Sequence, residues 1–275
     1  MRTTITMTAI NLLRRLFERH WIFLAIIGVL LACFPVLMCA AVTTINVEGI
    51  FNEFRRSLPP MVQEIFGAEM ALTMTSRGLL AFAWNHPFVH AMFIAVMILL
   101  ASRAIATEIE SGTMELLLSQ PISRPAYLAT QMGFALMVLL VLIGMMLLGV
   151  YAGLSMFDLQ RMLSGHAFLP VAGNLLSLQI AIYGVTLFLS SMAREGGRVV
   201  TIALMFVSIS YLLQAVARLW PTIKFLLTYT IFEYYSPQRI ILNNLPPWNN
   251  ILILLGVGII AGAAAWLRFM RRDIP

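Results

Sequence analysis

Residues Arg103–Arg124 read RAIATEIESGTMELLLSQPISR, the one long polar-sided stretch lying between two strongly apolar runs. Glu108, Glu110 and Glu115 sit inside it, and an arginine closes each end. Ile105, Ile109 and Leu116 recur at helical spacing, with Gly112 on the same stripe. Glycine is poor inside a helix, so Gly112 predicts a break. Thr113 is then placed to cap a new helix, with Glu115 in its first turn, where a negative charge suits the helix dipole. Pro121 ends that short helix, Ser123 caps the next, and Pro125 is tolerated in its first turn. The stretch therefore predicts helix, break, short amphipathic helix, break, helix. A short helix held out in this way is suited to fit into another molecule.

Outward from this stretch the chain turns apolar on both sides. Six long runs carry no Asp, Glu, Lys or Arg: 20–47, 78–102, 125–157, 162–193, 199–217 and 240–267. Each is long enough for a helix of about 20 residues, the length that crosses the hydrocarbon layer. Lipid offers the backbone no hydrogen-bonding partner, so such runs must be helical. Of the 275 residues 60% are hydrophobic and only 11% charged, with a mean hydropathy of +0.89. A soluble domain carries roughly a quarter charged residues. The expectation is an all-α, single-domain membrane protein over 1–275, with six spans and both termini on one side.

The arginines choose the side. Taking the N-terminus, 103–124, 194–198 and the C-terminus as cytoplasmic places eleven of the 18 Lys+Arg there and seven outside. The 12 acids divide six and six, so the inside is net +5 and the outside net +1, a sum of the +6 formal charge. This retention of arginine accounts for the basic balance without nucleic acid, and no nucleic-acid-binding spacing occurs.

The remaining segments have their own signatures. In residues 1–19, Ile5, Ala9, Leu12, Leu13, Leu16 and Phe17 gather on one side and Arg14, Arg15, Glu18 and Arg19 on the other. That pattern fits an amphipathic helix in the headgroup layer or a cytoplasmic extension of the first span. The first outer loop, 46–77, is long, and its Pro59–Pro60 pair could start a short helix over 59–66. The last outer segment, 218–248, is aromatic and too broken to span. Tyr229, Phe232, Tyr234, Tyr235 and Trp248 favour the headgroup level, so this segment predicts short helices dipping into the outer leaflet at the mouth of a pathway.

Several chemistries find no support. A phosphate-binding Walker A loop needs Gly-Lys followed by Ser or Thr, whereas the single lysine, Lys224, follows Ile223. His86 and His90 stand at i, i+4 and would suit two imidazoles on one metal, which makes an intramembrane metalloenzyme a third reading. Pro87 disturbs that turn, however, and no third ligand is evident, so satisfaction by water or backbone is the plainer reading. Cys33 and Cys39, six residues apart, cannot meet as a disulfide and serve as packing residues. The 18 methionines scatter rather than cluster as copper ligands do. Gly256, Gly258 and Gly262 in the last run allow close helix approach in a bundle or dimer seam. No Asp, Glu, Lys or Arg lies mid-run, which argues against a proton pump or ion-coupled carrier.

The stretch from Ile105 to Arg124, IATEIESGTMELLLSQPISR, resembles the permease subunit of type-2 ABC transporters, which carry a similar run after the second span. The likeness extends in layout to the six spans, the long first outer loop, the aromatic outer segment and the basic end. The resemblance implies a transmembrane subunit of an ATP-driven exporter in a bacterial inner (plasma) membrane. It would work with two separate ATPase subunits holding ATP and Mg, and with a second permease copy or paralogue. It also implies that this stretch docks into the ATPase. Glu108 and Glu110 then lie at the end of the second span, Gly112 and Thr113 form the break, Met114–Ser119 the docking helix, and Pro121–Arg124 the return. On that reading Glu108, Glu110 and Glu115 meet basic partner residues, and Met114, Leu116 and Leu117 supply a buried anchor. The uncharged spans and aromatic outer segment lean towards an amphipathic or lipidic solute. The alternative is a membrane scaffold or maturation factor for a periplasmic partner, moving no solute.

Overall fold

A computed structural model describes residues 2–45, 49, 53, 75–119, 122–243 and 246–272. Every regular element among them is helical, and six helical stretches are long and apolar enough to cross a membrane. The proline-led helix expected over 59–66 lies outside the described residues.

The first helix, α1 (Arg2–Thr44), runs unbroken for 43 residues, about 65 Å at the α-helical rise. The amphipathic start is thus continuous with the first span rather than a separate headgroup-level helix. The reason is in the chain: no glycine or proline interrupts it before Gly28. Leu12 and Leu16, on its apolar stripe, join the core.

The second span is two helices, α2 (Ser76–Asn85) and α3 (Pro87–Ala104). Thr75 caps α2 by accepting from the Gly78 amide at 3.0 Å. His86 is extended, as a residue before proline must be, and its Nδ1 accepts from the Phe88 amide at 3.2 Å. After a short inner pair, α4 (Ala106–Glu110) and α5 (Thr113–Leu118), the third span α6 covers Arg124–Met156. Ser123 caps α6 through the Ala126 amide, with Pro125 in the first turn, as the sequence predicts. A 3₁₀ turn (Gly165–Phe168) leads into α7 (Leu169–Met192), and α8 (Gly196–Leu219) follows.

The outer segment holds two 3₁₀ stretches, Pro221–Tyr229 and Ile231–Tyr234, then α9 (Pro237–Asn243), before α10 (Trp248–Arg271) forms the last span. The charge-free run 240–267 is therefore not one helix, and α10 starts only after the Pro246–Pro247 pair. Side chains of the spans hold parts of this irregular backbone. Asn174 donates to the Tyr234 carbonyl at 3.0 Å and accepts from the Ser236 amide at 3.4 Å. Tyr235 donates to the Trp84 carbonyl at 2.8 Å, and burial holds its hydroxyl pKa well above the usual tyrosine range. Phe232 and Tyr235 are core residues rather than headgroup anchors, whereas Trp220, Tyr229 and Trp248 are exposed.

The bundle is built from three extensive pairings, α7 on α10, α1 on α6 and α3 on α7. Close approach explains the first two. A Cβ on Gly184 would collide with the Gly258 backbone, and one on Gly149 with the Ala32 carbonyl. Gly258 thus serves this chain's own bundle, while α1, α8 and α10 leave broad apolar faces outward.

His86 is itself the break between α2 and α3, and His90 lies one turn into α3, its amide donating to the His86 carbonyl at 3.1 Å. The Nδ1 of His86 is taken by its capping bond, and His90 Nε2 lies 3.1 Å from Asn85 Oδ1, with its ring edge-on to Phe232 and Tyr235. The two imidazoles have separate structural tasks, and no group of three metal-ligating side chains occurs among the described residues. Cys33 is exposed and Cys39 buried, both free.

Candidate coupling site

The chain does not run straight from α3 into the inner segment. Ile105 leaves the helix (φ −135°, ψ −63°) although neither glycine nor proline is nearby. The cause is a side chain from another span. The α-helical partner of the Ala106 amide would be the Ser102 carbonyl, four residues back. Instead the Ser190 hydroxyl of α7 sits between them, donating to the Ser102 carbonyl at 3.1 Å and accepting from the Ala106 amide at 3.0 Å. A side chain inserted into the helical ladder is an established cause of kinks. Tyr127 of α6 donates to the Ala104 carbonyl at 2.9 Å and is itself held by Gln131 Nε2 at 3.1 Å. The joint is thus satisfied from two neighbouring helices.

Past the joint, α4 is pinned on two sides. Glu108 is buried, and its carboxylate accepts from Arg19 Nη1 of α1 at 2.8 Å and from the Thr113 hydroxyl. Glu110 Oε2 accepts from the Gly196 amide at 2.8 Å, placing a carboxylate at the first turn of α8, where the helix dipole favours it. Gly196 allows this approach because a Cβ there would strike the Thr107 side chain. Gly112 then turns the chain in the left-handed region (φ 70°), with open space around it.

These contacts revise four expectations. Thr113 does not cap α5. Gly112 occupies the N-cap position, and the Thr113 hydroxyl reaches back to the carbonyl and carboxylate of Glu108. Glu108 and Glu110 are engaged by this chain's own Arg19 and Gly196 rather than standing free for a partner. Met114, expected as part of the anchor for a partner, is 1% exposed and packs inside this chain. Leu117 is half-buried against the same core. Among the described side chains of α5, Glu115 and Leu116 are turned outward, the latter 68% exposed. Pro121 lies outside the described residues.

The return to α6 is tied to the chain's end. Arg124 Nη1 donates to the Arg272 carbonyl at 2.7 Å, and the Arg272 guanidinium donates to the Ser191 and Ala193 carbonyls, each at 2.8 Å. Arg19, Tyr127, Ser190, Gly196 and Arg272 therefore belong to the site, and sequence reasoning assigned none of them to it. Ser190 and Tyr127 carried only the weak signal of a polar residue in an apolar run. Arg19 and Arg272 read as topology arginines, whose partners appear only when distant spans meet.

Helices α4 and α5 stand beyond the ends of spans two and three, fixed to α1, α7 and α8, with an acidic and apolar surface turned outward. No curated protein and no solved structure matches the chain. The family model described as ABC-2 family transporter protein matches residues 15–274, nearly the whole length. With six membrane-crossing helices and this inner segment, the chain belongs to the ABC-2 transporter family as its integral membrane permease component.

Proposed function

We propose that this permease works in an ATP-driven exporter and that α5 is its docking helix for a separate ATPase subunit, which holds ATP and Mg. The observation that carries the proposal is the division of labour within 105–118. Glu108, Glu110 and Met114 fasten the segment to its own chain, while Glu115 and Leu116 are presented outward from a fixed support. An exposed leucine beside a carboxylate, on a helix braced at its base, suits a socket with an apolar floor and basic rim.

Both termini and α5 face the cytosol, consistent with the arginine bias. Two copies, or this chain with a paralogue, enclose the pathway between them. ATP-driven closure of the ATPase pair pushes on α5, and α4 passes the displacement to α1 through Arg19 and to α8 through Gly196. An amphipathic or lipidic solute suits spans free of mid-membrane charge.

The test is co-purification of the ATPase with the tagged permease. Leu116→Glu is expected to cut ATPase recovery by about tenfold or more, as loss of a central apolar anchor does, with normal membrane insertion. Glu115→Lys is expected to weaken recovery less. Undiminished ATPase recovery in Leu116→Glu ends the docking assignment. Export is separated from scaffolding by the ATPase rate of the complex: a solute that stimulates it supports transport, and a rate indifferent to every solute that binds speaks for a scaffold.

A further inference from the structure

The far end of α10 carries a cleft of about 550 Å³ lined by Ala264, Leu267, Arg268, Arg271 and Arg272. The first four stand at i, i+3, i+4 and i+7, so they form one stripe that changes from apolar to basic along the helix. That change comes where a membrane span leaves the hydrocarbon layer. Arg268 and Arg271 are exposed, and no hydrogen bond or ion pair of either side chain is recorded among the described residues. Arg272 closes the cleft with a guanidinium fixed by the Ser191 and Ala193 carbonyls.

Positive charge is concentrated here beyond this one cleft. A second cleft, about 500 Å³, opens on the neighbouring α7–α8 turn and is lined by Leu189, Met192, Arg194, Arg198 and Ile202 among others, with Glu195 its one carboxylate. Burial and then the nearby Arg194 and Arg268 lower the Arg272 pKa below the usual arginine value, so these guanidiniums repel one another. Arginines gathered against an apolar wall at headgroup depth are matched by a ligand with a phosphate at one end and a hydrocarbon chain at the other.

We infer that the α10 cleft, Leu267 with Arg268 and Arg271, binds the phosphate headgroup of an anionic phospholipid in the leaflet on which both chain ends lie. Arg268 and Arg271 take the phosphate oxygens, Leu267 and Ala264 lie along the first methylenes, and Arg272 keeps the cleft attached to the α7–α8 turn. The bound lipid offsets the repulsion among the arginines and so steadies the end of α10. The inference rests on α10 being a membrane span and not on α5 docking an ATPase, so either can fail without the other.

The experiment titrates the purified full-length chain in detergent with phosphatidylglycerol or phosphatidylcholine and reads bound lipid by native mass spectrometry. The wild type is expected to prefer phosphatidylglycerol by about tenfold, near the gain of two surface arginines against an anionic lipid after screening. Arg268→Gln with Arg271→Gln is expected to lose that preference. Arg14→Gln with Arg15→Gln, which removes equal charge from the same end of the bundle, is expected to keep it. Equal loss in both double variants, or no loss in the first, overturns the inference. Inorganic phosphate separates the two sources of the anion. Phosphate that displaces the lipid completely at millimolar concentration makes the cleft a free-anion site and overturns the lipid assignment, whereas persistence of the lipid supports it. A measurement on the wild type needs no variant to fold: phosphatidylglycerol should protect Arg268 and Arg271, but not Arg14 and Arg15, from phenylglyoxal. Protection that is absent, or uniform over all four, overturns the inference.

Discussion

The second span is broken twice, at His86 near one end and at Ile105 near the other, and the two breaks have different causes. The first is written locally. Pro87 removes an amide and forces His86 out of the helical region, and His86 supplies its own cap to the Phe88 amide. The second has no local cause. It exists because the Ser190 hydroxyl, 84 positions from Ala106, sits in the helical ladder and Tyr127 holds the Ala104 carbonyl. A locally coded break stays where it is when the surroundings move. A break made by α7 and α6 shifts when those helices shift, and it stands directly before the segment that carries α5. The inner bend of the second span is thus set by groups on α6 and α7 rather than by its own sequence.

Substitutions can break or sharpen this contrast. The largest expected effect is at the brace beyond the inner joint. Glu108→Ala removes a buried carboxylate and with it the charge-assisted hydrogen bonds from the exposed Arg19 and from the Thr113 hydroxyl, and should cost about 3 kcal/mol in unfolding titrations in mixed micelles. Exchanging the charges, Arg19→Glu with Glu108→Arg, should restore at least part of that loss. No restoration would mean that the pair does not set the position of α4.

Next is the joint itself. Ser190→Ala removes the inserted hydroxyl and should cost about 2 kcal/mol. It should also let the Ser102–Ala106 hydrogen bond close, moving spin labels on α5 relative to α8. Ser190→Thr, which keeps the hydroxyl, should leave the label distances in place. Unchanged distances in Ser190→Ala would remove Ser190 as the cause of the break.

Gly112→Ala forces a side chain into the left-handed region at a site with open space around it, so its cost is the backbone strain alone, about 1 kcal/mol. The smallest effect is expected at the outer break. Pro87→Ala restores an amide without touching the tertiary partners, and stability should change by less than about 1 kcal/mol. A larger loss there than at Ser190 would reverse the contrast between the breaks.

Much of the architecture was legible because membrane helices obey a severe local rule: a long charge-free run must satisfy its own backbone, so each of the six runs seeds a helix. The Ser123 cap and the Gly112 turn were legible for a similar reason, since both depend on the residue in place. The inner segment was legible in outline, but its side-chain roles were not. Glu108 and Glu110 look alike as exposed acids on a linear chain, and only the arrival of Arg19 and Gly196 gives them internal partners. Met114 and Leu116, two residues apart, are alike in hydrophobicity, yet packing buries one and exposes the other. The continuity of α1 from its amphipathic start into the span follows from the lack of a glycine or proline before Gly28, which speaks against a separate surface helix.

The sequence by itself determined that this chain crosses a membrane six times and holds a short helix out between spans two and three, because charge-free length, proline and glycine act on the residues beside them. Only the tertiary structure decided where span two bends at its inner end, which carboxylates bond within this chain, and which side chains of α5 face outward, because those outcomes depend on groups brought together from distant positions along the chain.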